Sequence, residues 1–182
     1  MKDYKVLFAD LDGTLIETIS GETFPKGIWD MRLRFDVLDR IKKLGLEHII
    51  IVTNQGGIEQ GFVQEHHFLH KIRFVQFALI EYLNTPHVWY QYCPYNDKNN
   101  PERKPNVGML EKAFRIINAG LRFTDAGIVP LKKEDCIMIG DASGKPNQFS
   151  SSDKDTSVNF GIDYIDVEDF VKDGILIDLD NS

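Results

Sequence analysis

The chain has only two cysteines, Cys93 and Cys136, in 182 residues. That is too few for a disulfide framework, and both stand beside apolar residues, so buried free thiols are expected. No apolar run approaches the ~20 residues of a membrane-spanning helix. Met1-Lys2-Asp3-Tyr4 opens without the apolar core of a secretory signal. A cytoplasmic location with no membrane partner is the expectation. Positive charge is also short: 21 Lys and Arg face 28 Asp and Glu, a net charge of −7. That disfavours generic, affinity-driven nucleic-acid binding, which rests on neutralising phosphates. It leaves room for an enzyme that meets a nucleic-acid end briefly. Part of the negative charge is Asp178–Asp180, read as a solvated tail. Internal repeats and low-complexity linkers are missing too. With 42% hydrophobic and 27% charged residues, the chain has an ordinary globular composition, and its length fits one domain over 1–182.

What is present is a regular alternation of elements. Continuous apolar runs at Val6–Ala9, His48–Val52, Val88–Tyr92 and Cys136–Ile139 read as strands, with a last short strand at Asp163–Ile165. Between them, helices are predicted over Leu33–Leu44 with Gly45 as C-cap, Gln64–Leu83, Val107–Asn118 with Gly120 closing it, and Asp153–Phe160. Gly21, Pro25 and Gly27 mark Ser20–Trp29 as an irregular loop or hairpin. Strands without polar alternation, separated by helices, predict an α/β fold. A Rossmann-like parallel sheet would be covered by helices on both faces. Ligands in such sheets bind at the carboxyl ends of the strands.

The strand exits carry the chemistry. Strand one runs into Asp10-Leu11-Asp12-Gly13-Thr14, the second ends in Thr53-Asn54-Gln55-Gly56-Gly57, and the fourth ends in Gly140-Asp141. Arg103-Lys104-Pro105 closes the polar loop Asn96–Pro105 ahead of a helix. Asp10 can attack phosphorus and form an acyl-phosphate. Asp12 can protonate the leaving oxygen and later take a proton from water. Gly13 lets the chain turn sharply so that Asp12 faces the same phosphate. Asp10, the Asp12 backbone carbonyl and Asp141 form an oxygen-only set suited to Mg²⁺. Thr53 and the Asn54 amide can hold phosphate oxygens. Lys104 would keep Asp10 ionised.

The order Asp10-x-Asp12-Gly-Thr, Thr53-Asn54, Lys104-Pro105, Gly140-Asp141 resembles the four motifs of the haloacid dehalogenase superfamily, Mg²⁺-dependent aspartyl-nucleophile phosphotransferases. The resemblance covers residues 5 to about 170. Within the superfamily the chain resembles the 3′-phosphatase domain of polynucleotide kinase/phosphatase. Ser20-Gly21-Glu22-Thr23-Phe24-Pro25 is similar to that family's Ser-Gly-Lys-x-Phe-Pro loop. Arg103-Lys104-Pro105 with Gly108-Met109 is similar to its Arg-Lys-Pro…Gly-Met, and Gly140-Asp141-Ala142-Ser143-Gly144-Lys145-Pro146 to its Gly-Asp-Ala-Ala-Gly-Arg-Pro. Phe149-Ser150-Ser151-Ser152-Asp153 resembles its Phe-Ser-x-x-Asp. Glu22 stands where the family usually has lysine, weakening contact with a DNA backbone. Lys145 replaces arginine and loses a two-pronged phosphate grip. No Gly-x-x-x-x-Gly-Lys-[Ser/Thr] occurs, so no kinase half is expected, and a separate kinase chain is a candidate partner.

Two insertion points control access to the site in this superfamily. Thr14 to Thr53 has room for a small flap (Ile16–Trp29) and one core helix, and Asn54 to Lys104 for a helix, a strand and a loop. A capless, open site follows, suited to a phosphate on the end of a bulky polymer. The resemblance implies a Mg²⁺-dependent phosphomonoesterase acting on 3′-phosphorylated DNA ends. The rival is a small-molecule phosphatase of the histidinol-phosphate or heptose-bisphosphate type. Only Cys93 stands before Arg103, where those relatives carry several zinc cysteines, so no zinc is expected. A phosphate-binding module without catalysis is disfavoured, because every catalytic residue type is present. Several roles stay open. Asp153 either orients Lys104, supports the metal or caps a helix. Lys145 is either a phosphate contact or a solvated loop charge. Phe24, Trp29, Tyr92 and Tyr95 either stack a nucleobase or pack at the rim. His66, His67 and His70 read as an exposed helix face without a third metal ligand.

Overall fold

A computed structural model describes residues 2–85, 87–123 and 129–172; the predicted tail at Asp178–Asp180 lies outside them. The elements in chain order are β1 (Val6–Ala9), β2 (Ile16–Thr18), β3 (Met31–Leu33), α1 (Phe35–Leu44), β4 (His48–Asn54), α2 (Glu65–Leu83), β5 (Val88–Cys93), α3 (Gly108–Phe123), β6 (Cys136–Gly140), α4 (Ser152–Phe160), β7 (Asp163–Asp166) and α5 (Val167–Lys172). Five strands form one sheet in the order β5-β4-β1-β6-β7. All four pairings in it are parallel.

The runs in β1, β4 and β6 lack alternation because these strands are buried on both sides, whereas the edge strands β5 and β7 are only partly covered. Leu7, Ala9, Ile49, Ile51, Ile137 and Ile139 face a core shared with α1, α2 and α5. Their neighbours Val6, Phe8, Ile50, Val52, Cys136 and Met138 face a second core with α3 and α4. Cys93 and Cys136 are buried free thiols, and burial raises the Cys136 thiol to about 12. Successive strands run outward from β1 to one edge (β4, β5) and then restart on its other side (β6, β7). This reversal opens a crevice at the carboxyl ends of β1 and its neighbours.

Most boundaries shift from the sequence expectation by one or two residues, and three differences matter more. Leu33 belongs to β3, paired with Ile16, and α1 begins two residues later. The loop over Ser20–Trp29 is bracketed by this hairpin. Its base is tied down by buried Asp30, which accepts bonds from the Ser20 amide (2.8 Å), the Ser20 hydroxyl (2.9 Å) and the Lys26 amide (3.0 Å). Gly120 does not end α3, which continues to Phe123; a glycine inside a helix costs only about 1 kcal/mol, too little by itself to end it. The six-residue α5 was not predicted. Only the β2–β3 flap intervenes between β1 and α1, and only α2 and β5 lie between β4 and the Lys104 loop, so the described residues hold no folded cap.

Candidate active site

Asp10 follows β1 directly, its amide bonded to the Ile139 carbonyl at 3.1 Å. The chain then turns tightly: the Gly13 amide reaches the Ile16 carbonyl at 2.8 Å, and Gly13 has φ +84°. A Cβ there would lie 2.2 Å from the Asp141 carboxylate. Glycine is therefore required both for the turn and for the close approach of β6.

Lys104 is the hub. The residue is 4% exposed, and its ammonium donates to Asp10 (2.5 Å), Asp153 (2.6 Å) and the Val52 carbonyl (2.9 Å). All three protons are used, so its direction is fixed. Burial acts to lower its pKa, but the charges of Asp10 and Asp153 outweigh that and raise it. Asn54 sets the backbone of Lys104 by a reciprocal clamp: its side-chain amide donates to the Lys104 carbonyl (3.0 Å), and its oxygen accepts from the Lys104 amide (2.9 Å). The sequence reading credited Asn54 with its backbone amide alone; the side chain has this second task.

Asp153 lies two residues past the helix cap Ser151 and is not itself the cap. One oxygen binds Lys104 and the other accepts from the Ala142 amide at 3.1 Å. A Cβ on Gly140 would come within 2.2 Å of it, which explains the glycine before Asp141. Of the roles left open for Asp153, the geometry shows the contact to Lys104 and excludes the cap itself, and the same carboxylate stands in the cluster that could hold a metal.

Carboxylate oxygens of Asp10, Asp141 and Asp153 lie within 4.8 Å of one another. Burial pushes the Asp10 carboxyl well above its usual range; Lys104 opposes this, while Asp153 and Asp141 add to it. Burial, with the Asp153 charge, raises Asp141 to about 6. Three carboxylates against one ammonium leave two negative charges unbalanced, the charge of one divalent cation. The all-oxygen donor set fits a hard ion such as Mg²⁺.

Asp12 stands beside this cluster, held by Gln55 and Lys71. Thr53 is buried, its hydroxyl accepting from Gln55 at 2.9 Å. Neither Gln55 nor Lys71 was given a role from sequence. The available signal was a lysine inside the apolar stripe Phe68, Ile72, Val75 of α2. Lys145 is not joined to this network: its ammonium pairs with Asp166 and Asp169, both at 2.8 Å. Phe24, Trp29 and Tyr95 are exposed, whereas Tyr92 is half-buried and donates to Glu65. His66, His67 and His70 lie on an exposed face.

The profile of the family described as "Polynucleotide kinase 3 phosphatase" matches residues 5–171. The chain belongs to this family. As a polynucleotide kinase 3 phosphatase family member it is 33% identical over 172 residues to the bifunctional polynucleotide phosphatase/kinase of Schizosaccharomyces pombe, covering 93% of this chain but 38% of that protein. It is 30% identical over 125 residues to the D-glycero-beta-D-manno-heptose-1,7-bisphosphate 7-phosphatase of Haemophilus influenzae, covering 61% of this chain and 63% of the relative. The fold is similar to that of the D,D-heptose 1,7-bisphosphate phosphatase from B. bronchiseptica, crystallised with magnesium and phosphate, at a TM-score of 0.62 and 20% identity, over 88% of this chain and 78% of that one. The matched family is one of phosphatases, and the chain spans less than two thirds of the length of both the S. pombe and the H. influenzae relatives. No helix among the described residues is long and apolar enough to cross a membrane.

Proposed function

We propose that this family member is a Mg²⁺-dependent polynucleotide 3′-phosphatase that clears 3′-phosphates from DNA ends during repair. The observation that carries the reading is the 3-phosphatase family match over 5–171, on a sheet edge with a flap and, among the described residues, no folded cap. Thr53 and Asn54 hold the phosphate. Asp10 attacks phosphorus and the ester bond to O3′ breaks, while Asp12 gives its proton to that oxygen. Water then attacks the phospho-Asp10 ester with Asp12 taking the water's proton, and phosphate leaves. Lys104 holds Asp10 aimed and opposes the protonation that burial favours, and Lys145 is a contact for the strand beyond the reacting phosphate, released from Asp166 and Asp169. Asp10, the Asp12 backbone carbonyl and Asp141 would hold Mg²⁺, which would supply charge neutralisation at the phosphate. A cytoplasmic setting and a separate kinase chain as partner complete the reading.

Likeness to heptose-bisphosphate phosphatases over 61% of the chain supports a second reading, a small-molecule phosphatase. Assaying a 3′-phosphorylated oligonucleotide, its 5′-phosphorylated isomer and a sugar phosphate side by side separates the two. The 3′ substrate is expected to lead in kcat/KM by about 10²-fold or more, because contacts to the rest of the strand assist the reaction. Equal values on all three would sink the DNA-end reading, and a lead for the sugar phosphate would favour the second.

The metal assignment has a thermal consequence. Asp10 and Asp141 have raised pKa values, Asp141 moving from 3.8 to about 6. The metal-free fold therefore binds protons that the unfolded chain has released; the Asp141 contribution to stability falls as pH rises from about 4 through 6, and that of Asp10 falls in the same direction. Mg²⁺ binds the ionised forms and removes that loss. Millimolar Mg²⁺ is expected to raise Tm by roughly 5 °C at about pH 7.5 and by much less at about pH 5. Melts with and without the ion at both pH values check this; an equal gain at both would remove these carboxylates as ligands.

A further inference from the structure

Both oxygens of the Asp12 carboxylate are occupied. Oδ1 accepts from the Lys71 ammonium at 3.0 Å, and Oδ2 accepts from the Gln55 side-chain amide at 2.8 Å. Gln55 leans on the Thr53 hydroxyl as well, at 2.9 Å. Lys71 lies in the second turn of α2, on the side that buries Phe68, Ile72 and Val75, and is itself buried, with its ammonium 5.8 Å from the Phe68 ring centre. An ammonium in an apolar helix face is unfavourable unless paired. Among the described residues its one ion pair is with Asp12. Nothing in the packing of α2 calls for a lysine there, since an aliphatic residue would continue the stripe. What does call for it is Asp12.

The final torsion of an aspartate is soft and broad, so an unrestrained carboxylate does not hold its plane. A group that must meet the leaving oxygen in one step and water in the next needs that plane fixed. Two donors on two different elements, one from the α2 helix and one from the exit of β4, do so. Lys104 serves the other aspartate, Asp10, from the loop before α3. We propose that Lys71, together with Gln55, is a positioning residue that aims Asp12. The inference rests on the reading of Asp12 as the acid–base group.

The test uses two substrates with different leaving groups. With Lys71→Met, turnover of a 3′-phosphorylated oligonucleotide is expected to fall about 30- to 100-fold, with KM changed less than about twofold. p-Nitrophenyl phosphate needs no proton on its leaving group, so phosphorylation of Asp10 stays fast while the water step slows. Stopped-flow traces should then show a burst of nitrophenolate equal to the active sites, with the ratio of burst to steady rate at least about tenfold above the parent's. Gln55→Met, at a half-exposed site, should give the same signature at smaller size, and it keeps the test open if Lys71→Met does not fold. A loss confined to KM, or burst and steady rates falling together, would overturn the inference, because a purely structural role gives those patterns. Asp12→Asn separates the levels. If it turns over the oligonucleotide at the parent rate, the acid–base reading fails and takes this inference with it. If it loses turnover and shows the burst while both other variants match the parent, the Lys71 inference alone fails.

Discussion

Asp10→Asn is expected to abolish turnover while the protein stays folded and melts no lower than the parent. The amide keeps the shape of the carboxylate but lacks its nucleophilic charge, so formation of the acyl-phosphate stops. Loss of an enzyme's nucleophile costs on the order of 10⁴-fold or more in rate. Stability follows from the surroundings. Asp10 is buried among Lys104, Asp141 and Asp153, and burial with the two neighbouring carboxylates raises its pKa against the pull of Lys104. Removing its charge relieves that crowding, and Lys104 keeps Asp153 and the Val52 carbonyl. Phosphate release from an aryl phosphate and a thermal melt check the two halves. Hydrolysis at the parent rate would end the nucleophile assignment. A collapse of the fold would show that the Asp10–Lys104 pair is needed chiefly for structure.

The strands were legible because a doubly covered parallel sheet demands unbroken apolar runs, and His48–Val52 or Cys136–Ile139 have no other use in a chain of this composition. The site residues that stand at strand exits followed from the same topology: Asp10, Thr53 and Asp141 each come just after such a run, and the sheet order brings those ends together. Lys104 was legible only through its motif, because no strand delivers it; the Asn54 clamp does. Less was legible where long side chains cross between elements. Lys71 reads on a helical wheel as an intrusion into the stripe of Phe68, Ile72 and Val75, and its partner lies 59 positions away. Gln55 has the same difficulty. The loop after Asp141 also resisted reading: Gln148 accepts from the Ser143 and Lys145 amides and donates to Asp166, and Asp166 with Asp169 takes the Lys145 ammonium. Those partners come from β7 and α5, and α5 was not predicted. The flap's strands, three residues each, are too short for periodicity to register.

Lys104→Met is expected to damage both activity and fold, and the two losses can be separated. The substitution leaves Asp10 and Asp153 buried and facing each other without a cation. Breaking a buried ion pair by removing one partner costs about 3–5 kcal/mol. For a chain of this size that corresponds to a drop in Tm on the order of 10 °C. Activity falls further, about 10³-fold or more, because the nucleophile loses the charge that opposes its protonation and the hydrogen bond that aims it. Adding Asp153→Asn removes one of the stranded carboxylates while the Asn side-chain oxygen still accepts from the Ala142 amide. The double variant should therefore regain a large part of the lost Tm, since neighbours in one network are not additive. Its turnover should stay as low as that of Lys104→Met, because nothing has replaced the cation beside Asp10. Melts and phosphate-release rates of the parent, the two single variants and the double variant complete the cycle. Recovery of turnover together with stability would mean that Lys104 acts only by holding the fold. Additive losses in Tm would mean that Asp153 and Lys104 are not one unit, contrary to their 2.6 Å contact.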